Sequence, residues 1–425
     1  MSSMENSQEN VLLGLDIGTC FVRAVIGHIN GDGEAEIIDV SKRPSNGLLR
    51  NGTIVNIEAA KQCIHEMIDE LEQKNYLEAH SCVTGIGGVQ IESRTTRGTA
   101  AISSYGKTER AITAEDVKKA IESANAISIP LDRNLLHVIP QQFIIDGTEG
   151  FKNPVNNIAY RLDADVHIIT ASRTSVQNLR TCVEQSGYQL DEIRLKTLAE
   201  TEAVMVEDEK NLGSILIDIG GGTTDVVVIL NDAPICTCSI PVGGNLVTND
   251  IAVVKGLPNS VAEKIKIESG CAWLPLIEGE NSEVLIPGFG SRTTELMTKR
   301  ELCEIIYPRM QEIFTMVRDS ISSKLSKMQL SGSIILTGGG AQINGAVEMA
   351  QYVFGTSSVR LGLPQASLGG IVESYRIPEY ATAVGLFLAH KQIIEDGRKF
   401  PKKKEKTEKK QHGESTFKKI MKKFF

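Results

Sequence analysis

Three short stretches of this chain combine glycine with residues able to handle a phosphate and a cation. Asp218 closes an apolar run and is followed by Gly220-Gly221-Gly222, then Thr223, Thr224 and Asp225. Asp16, Gly18, Thr19 and Cys20 repeat the arrangement some two hundred residues earlier. Gly338-Gly339-Gly340 ends a third apolar run. Glycine lets backbone N–H groups close round an anion, because no Cβ blocks φ > 0 or close contact. A carboxylate at the lip of such a loop repels phosphate unless a cation such as Mg²⁺ lies between them. One such loop alone reads equally as a glycine-rich hairpin turn with a surface Asp; its repetition points to phosphate. The third loop suits close approach of a nucleoside and its phosphates.

The elements that must position these groups can be read from periodicity. Residues 11–27 and 215–229 are branched apolar runs broken by glycine, the pattern of a β-hairpin. Two such hairpins imply a duplicated nucleotide-binding core with one loop per half. Residues 334–345 read as a strand running into the glycine loop and on towards a helix. Residues 377–388 interleave small and large apolar residues, which lets helices pack tightly near a hinge. Thr113 and Asp116 form a capped helix start, and residues 134–145 hold two β-like runs around Pro140. Ser260–Glu263 and Thr298–Glu301 are capping-box patterns, the second opening a long amphipathic helix with a kink expected at Pro308.

A chain of 425 residues has room for two to four domain-sized units. It holds no apolar run of about twenty residues and its N-terminus has no signal pattern, so a cytoplasmic protein is expected. Eight scattered cysteines fit reduced thiols. Net charge is −8, yet from Arg398 onward there are 12 basic and 3 acidic residues. The tail therefore carries +9 on a body of −17, which implies an anionic partner for the tail alone. Residues 398–414 read as a disordered linker. In residues 415–425, Phe417, Ile420, Met421 and Phe424 recur at helical spacing. Lys418, Lys419, Lys422 and Lys423 lie mostly on the other side, with Phe425 at the end. That is an interfacial amphipathic helix suited to an anionic membrane surface. A docked helix and a nucleic-acid tail are the rivals, but nucleic acid has no use for the apolar stripe.

In order, these motifs resemble the two phosphate loops, adenosine loop and connecting helix of the actin, Hsp70 and sugar-kinase superfamily. Residues 136–141 (LHVIPQ), 150–155 (GFKNPV), 241–252 (PVGGNLVTNDIA) and 262–270 (AEKIKIESG) resemble segments of the FtsA family of bacterial division proteins. The likeness covers nearly the whole chain. It implies an α/β, actin-like two-lobed ATPase fold of duplicated ribonuclease H-like units. The expected division is 11–82, 166–210 and 366–397 for subdomain 1A, and 83–165 for a small inserted α/β subdomain, 1C. Residues 211–240 and 329–365 would form 2A, and 241–328 would form 2B. The resemblance further implies ATP with Mg²⁺, placed by Asp16 and Asp218 mostly through water. Gly18, Thr19, Cys20 and Gly220 to Thr223 would hold the phosphates. Glu263, Lys266 and Gly338 to Gly340 would face adenosine, Glu263 and Lys266 sharing one helix face.

The same likeness implies homopolymerisation, contact of the insertion with later division proteins, and tethering of the tubulin-like GTPase FtsZ at the septal membrane. Arg292, Lys299, Arg300 and Arg309 would meet an acidic FtsZ peptide. Glu200 and Glu202 stand on the connecting helix where the family usually has small residues; Glu202 is the candidate to orient a hydrolytic water, with a solvated helix face as the alternative. The family commonly has Lys two residues after the loop threonine, where this chain has Phe21. ATP binding with weak or no hydrolysis is therefore expected, with Arg23 on the same strand face as a candidate to reach back. A pilus-assembly ATPase of the PilM type and a sugar kinase are the rival readings.

Overall fold

The computed structural model describes residues 11–50, 52–103, 109–126, 129–277, 279, 282–288, 293–325 and 330–399. The tail from 400 onward, including the expected helix at 415–425, lies outside the described residues, as does Arg292.

The run VLLGLDI forms β1 (Val11–Ile17), buried along its whole length. A strand covered on both faces carries apolar residues continuously instead of alternating them. It turns back as β2 (Phe21–Ile29), which meanders into β3 (Ala35–Pro44). Helix α1 (Ile57–Asn75) is capped by Asn56 and buries Ile64, Met67, Ile68 and Leu71 as one stripe. β4 (Ser81–Ile86) then joins β1 in parallel.

An inserted layer follows: β5 (Ile91–Ala101), α2 (Ala114–Asn125), β6 (Arg133–Ile145), β7 (Thr148–Phe151) and β8 (Arg161–Ser172), the strands ordered β7-β6-β8-β5. Thr113 and Asp116 form the expected capping box of α2. That helix lies on the sheet over Gly98, where a Cβ would strike the Ala120 carbonyl and the Ala124 backbone. β4 belongs wholly to the first sheet and β8 is paired throughout, so cuts at 83 and 165 would sever both strands. The insertion starts after Ile86 and returns at Ser172.

After α3 (Arg173–Gln185), β9 (Gln189–Leu195) completes a five-stranded sheet of order β9-β4-β1-β2-β3, and α4 (Lys196–Val204) leads to the second half. There β10 (Ser214–Ile219), β11 (Thr224–Leu230) and β12 (Ala233–Ile240) repeat the meander. Helices α5 (Gly244–Lys255), α6 (Asn259–Ser269) and α7 (Lys299–Leu325) intervene. β13 (Ile334–Thr337), α8 (Ala346–Phe354) and β14 (Val359–Leu361) then complete the order β12-β11-β10-β13-β14. Each lobe is thus a three-stranded antiparallel meander extended by two parallel strands, the duplicated α/β architecture expected. The Thr298–Glu301 capping box is present at the start of α7, and the helix continues through Pro308.

The lobes are joined at their backs. α9 (Ala381–Lys399) crosses β1 and α4, and one core gathers Leu12 and Val25 from the first sheet, Leu216 and Val227 from the second, and Val384 and Phe387 from α9. The small residues expected here do what tight packing asks. A Cβ on Gly14 would lie 2.9 Å from Phe387 Cα, and one on Gly385 would be 3.0 Å from Glu200 N.

Candidate functional site

The two glycine loops adopt the same turn. Gly18 N–H donates to Phe21 O at 2.9 Å, and Gly220 N–H donates to Thr223 O at 2.9 Å. The register puts Asp16 opposite Arg23 and Asp218 opposite Asp225. Both turns face one cleft between the lobes, together with Gly338, Gly339, Gly340, Glu263 and Lys266. Of the residues singled out for the nucleotide, all but Gly222 and Glu202 therefore line one place.

The cleft floor is acidic. Asp16, Asp218 and Asp225 line it, and Glu200 lies wholly buried beside them, its Oε1 accepting from Thr382 Oγ1 at 2.6 Å. Burial, then Asp225 and Asp16, pushes the Asp218 carboxyl up to about 7. Burial, then Asp218, holds Glu200 well above the usual carboxylate range. Such a set gains by accepting a divalent cation, which cancels the repulsion. Among the described residues no three His, Cys, Asp or Glu side chains converge tightly enough to enclose a metal alone. A cation here would complete its shell with water and phosphate oxygens, the habit of Mg²⁺.

On the other wall, Gly338 has φ +81°, and a Cβ there would drive into Asp218 Oδ1 and lie 2.7 Å from Ile219 O. Gly340 is packed on Ile219, whereas Gly339 has open space where a Cβ would point. The loop so offers bare backbone to the cleft. Pro258 precedes α6, and no side chain caps that helix. The capping box expected of Ser260 and Glu263 is absent, because the Glu263 carboxylate turns to Thr248 Oγ1 and to Lys266 Nζ, the latter at 2.6 Å.

One sequence expectation is corrected. Glu202 does not face the cleft: it pairs with Lys210 Nζ at 2.9 Å and lines a separate crevice beneath the insertion. Residues two apart on a helix point about 200° apart, so it is Glu200 that turns inward. Arg23 does reach back to the first loop, its Nη1 3.6 Å from Asp16 Oδ2, while its Nη2 is held by Glu379 at 2.9 Å and the guanidinium stacks 5.3 Å from the Phe21 ring. Of the basic residues expected to meet a partner peptide, Lys299 lines the cleft. Arg300 pairs with Glu304, and Arg309 is clasped by Asp250 at 2.7 Å.

Sequence reasoning missed three contributors. Lys196 enters the floor from α4. Gly243-Gly244-Asn245, within the family-like segment 241–252, buttresses the second loop. There Gly244 N–H and Asn245 N–H donate to Gly220 O and Gly221 O, both at 2.9 Å. Asn245 Oδ1 also accepts from Cys20 Sγ across the cleft at 3.2 Å. Gln141 donates to Pro234 O at 2.8 Å, tying the insertion to the second lobe. The glycine pair in residues 243–244 was the one legible signal.

A pH test follows. An acid whose folded pKa is raised favours the fold while neutral and costs stability as pH rises through that value. Glu200→Gln is expected to leave the ligand-free protein near wild-type stability at pH 5. At pH 8.5 it should be more stable than wild type, read by thermal melts across that range.

Comparison with known proteins agrees with this architecture. The family model described as cell division protein FtsA matches residues 215–385, and that of the SHS2 domain inserted in FtsA matches 88–170. The cell division protein FtsA of Borreliella burgdorferi is 40% identical over 379 residues, 89% of this chain and 90% of that protein. Among solved structures, the PilM–PilN type IV pilus biogenesis complex is similar at TM-score 0.66 with 18% identity, covering 89% of this chain and 98% of the other. MreB5 of Spiroplasma citri bound to ADP is similar at TM-score 0.54 with 14% identity, covering 92% and 98%.

Proposed function

The chain belongs to the FtsA family of cell-division proteins, and from that premise we propose that it binds Mg–ATP between its lobes, polymerises, and ties FtsZ filaments to the inner face of the membrane at the septum. It is an actin-like division protein. The observation that carries the nucleotide reading is the convergence of twin glycine turns on one acidic floor. The MreB5 neighbour holds ADP within a fold of this kind.

In this reading Asp16 and Asp218 hold Mg²⁺ through water, and the amides of 18–20 and 220–223 take the phosphates. Gly339, Glu263 and Lys266 face the nucleoside. Mg²⁺ supplies the positive charge that lets phosphate approach carboxylates; the chain supplies the frame. Glu200, not Glu202, is the connecting-helix carboxylate beside the acidic floor, and it is wholly buried with its Oε1 on Thr382 Oγ1. Its burial withholds it from a water in the cleft, which favours slow turnover or none.

The membrane assignment rests on the stripe of Phe417, Ile420, Met421 and Phe424 with its lysines, each worth roughly 1 kcal/mol at an anionic leaflet. Among the described residues no helix is long and apolar enough to cross a membrane. The pilus-type rival shares the fold at 18% identity, whereas relatives sharing about two-fifths of their residues are division proteins. The test is co-sedimentation of FtsZ with anionic liposomes and ATP, using the full chain and a form ending before Ser415. FtsZ is expected in the pellet only with the full chain. Liposome binding by both forms without FtsZ would refute the partner, and binding by neither would refute the anchor.

A further inference from the structure

Cations are scarce where the phosphates of a nucleotide would lie. Arg23 stands 3.6 Å from Asp16 Oδ2, but it and Lys42 both grip Glu379, at 2.9 and 2.8 Å, and both sit on the face of Phe21, at 5.3 and 4.2 Å from its centre. Lys266 is held by Glu263, by Thr248 Oγ1 at 2.9 Å and by Gly244 O at 3.1 Å. The position two residues after the loop threonine carries no charge.

Lys196 is placed differently. It is the first residue of α4 and reaches the cleft floor along a path that Gly85 leaves clear. A Cβ on Gly85 would lie 2.8 Å from its Cγ, whereas one on Gly87 would make only ordinary contact, 3.4 Å from its Cδ. Its ammonium stands 2.6 Å from Asp16 Oδ1 and donates to Ile17 O at 2.8 Å, at the threshold of the first turn. An ammonium has three donors, and these partners take two.

We propose that Lys196 is the phosphate-binding cation of this chain, reaching from the connecting helix to the terminal phosphates of a nucleoside di- or triphosphate in place of a lysine on the first loop. The assignment rests on the nucleotide reading of the cleft. Asp16, Asp218 and Asp225 line the same floor, so the ammonium sits among carboxylates. With no nucleotide bound, it neutralises Asp16. When Asp16 turns to a cation that arrives with the nucleotide, the ammonium is released to the phosphate oxygens, so one side chain serves both states.

The test measures equilibrium binding of ATP, ADP, AMP and adenosine, with Mg²⁺, to the full-length protein and its Lys196→Met variant. A charge-assisted contact to phosphate is worth about 10- to 100-fold in affinity. The variant is expected to lose that factor for ATP and ADP while binding adenosine within about twofold of wild type. Adding Phe21→Lys to Lys196→Met should recover part of the loss. Unchanged ATP affinity overturns the proposal, and so does an equal loss for adenosine and ATP. If Lys196→Met does not fold, Lys196→Arg and Lys196→Gln replace it. The first should keep the preference for ATP over adenosine and the second should lose it; equal preference in both overturns the assignment. A wild type that binds adenosine and ATP equally overturns this assignment alone, whereas one that binds neither overturns the reading of the cleft as well.

Discussion

Replacing Asp218 by Asn is expected to cut affinity for Mg–ATP by 100-fold or more while making the ligand-free protein more stable. The two effects have one cause. Asp218 is buried at the end of β10 among Asp225, Asp16 and Glu200, and its carboxyl is pushed up to about 7. Being raised, it favours the fold while protonated and weakens it as pH rises through that value. At pH 8 the wild type therefore carries a strained carboxylate, and every tenfold bias against ionisation corresponds to about 1.4 kcal/mol. Asn keeps the shape without the charge, so a gain on the order of 2 kcal/mol is expected at pH 8 and almost none at pH 4. Asn also removes a negative charge to which the cation answers, hence the loss of Mg–ATP. Thermal melts with and without Mg–ATP at both pH values read both effects. A variant that loses stability at pH 8, or that still gains a full melting shift from Mg–ATP, would refute the account.

Gly385→Val is expected to destabilise the fold by about 3 kcal/mol or more and to disturb the cleft from behind. Gly385 lies where α9 crosses α4, with the Ala199 carbonyl and Glu200 N against the space a side chain would fill. Neither neighbour is a side chain that can swing aside, so the helices must separate, and overpacking of this kind costs about 1–3 kcal/mol or more. α4 also carries Lys196 and Glu200, so separation withdraws both from the floor. The expected signature is a lower urea midpoint together with weaker ATP binding. Gly397→Val is the control: it lies on the same helix with nothing near its Cβ position, and it should change binding little. A stable Gly385→Val protein with unchanged affinity would show that the crossing tolerates repacking.

Much of this was legible in the sequence. The two hairpins announced themselves because a glycine turn between buried strands leaves a local signature at Asp16–Cys20 and at Asp218–Thr223. The cap of α2 at Thr113 and that of α7 at Thr298 were readable for the same reason, since a capping box spans four residues. What was not legible was direction and distance. Glu200 and Glu202 look alike in a string of letters, and only the phase of α4 on the sheet decides which is buried. The Ser260–Glu263 pattern satisfied the rule for a cap, yet Lys266 and Thr248 compete for the same carboxylate. Lys196 left no trace, because its placement depends on Gly85, more than a hundred residues away. Gln141, likewise, gains its meaning only where β6 meets Pro234.

The channel that carries Lys196 also constrains how this chain could have diverged from its relatives. A lysine at 196 is harmless only if 85 already lacks a side chain, whereas glycine there costs strand stability unless something fills the gap it leaves. The two positions therefore form an epistatic pair, and the order of substitution matters. Glycine first, then lysine, is passable; lysine first leads through a clash. Relatives that lack a lysine at the position of Lys196 are free to carry a larger residue at that of Gly85, and grafting the lysine alone into such a background should fail where grafting both succeeds.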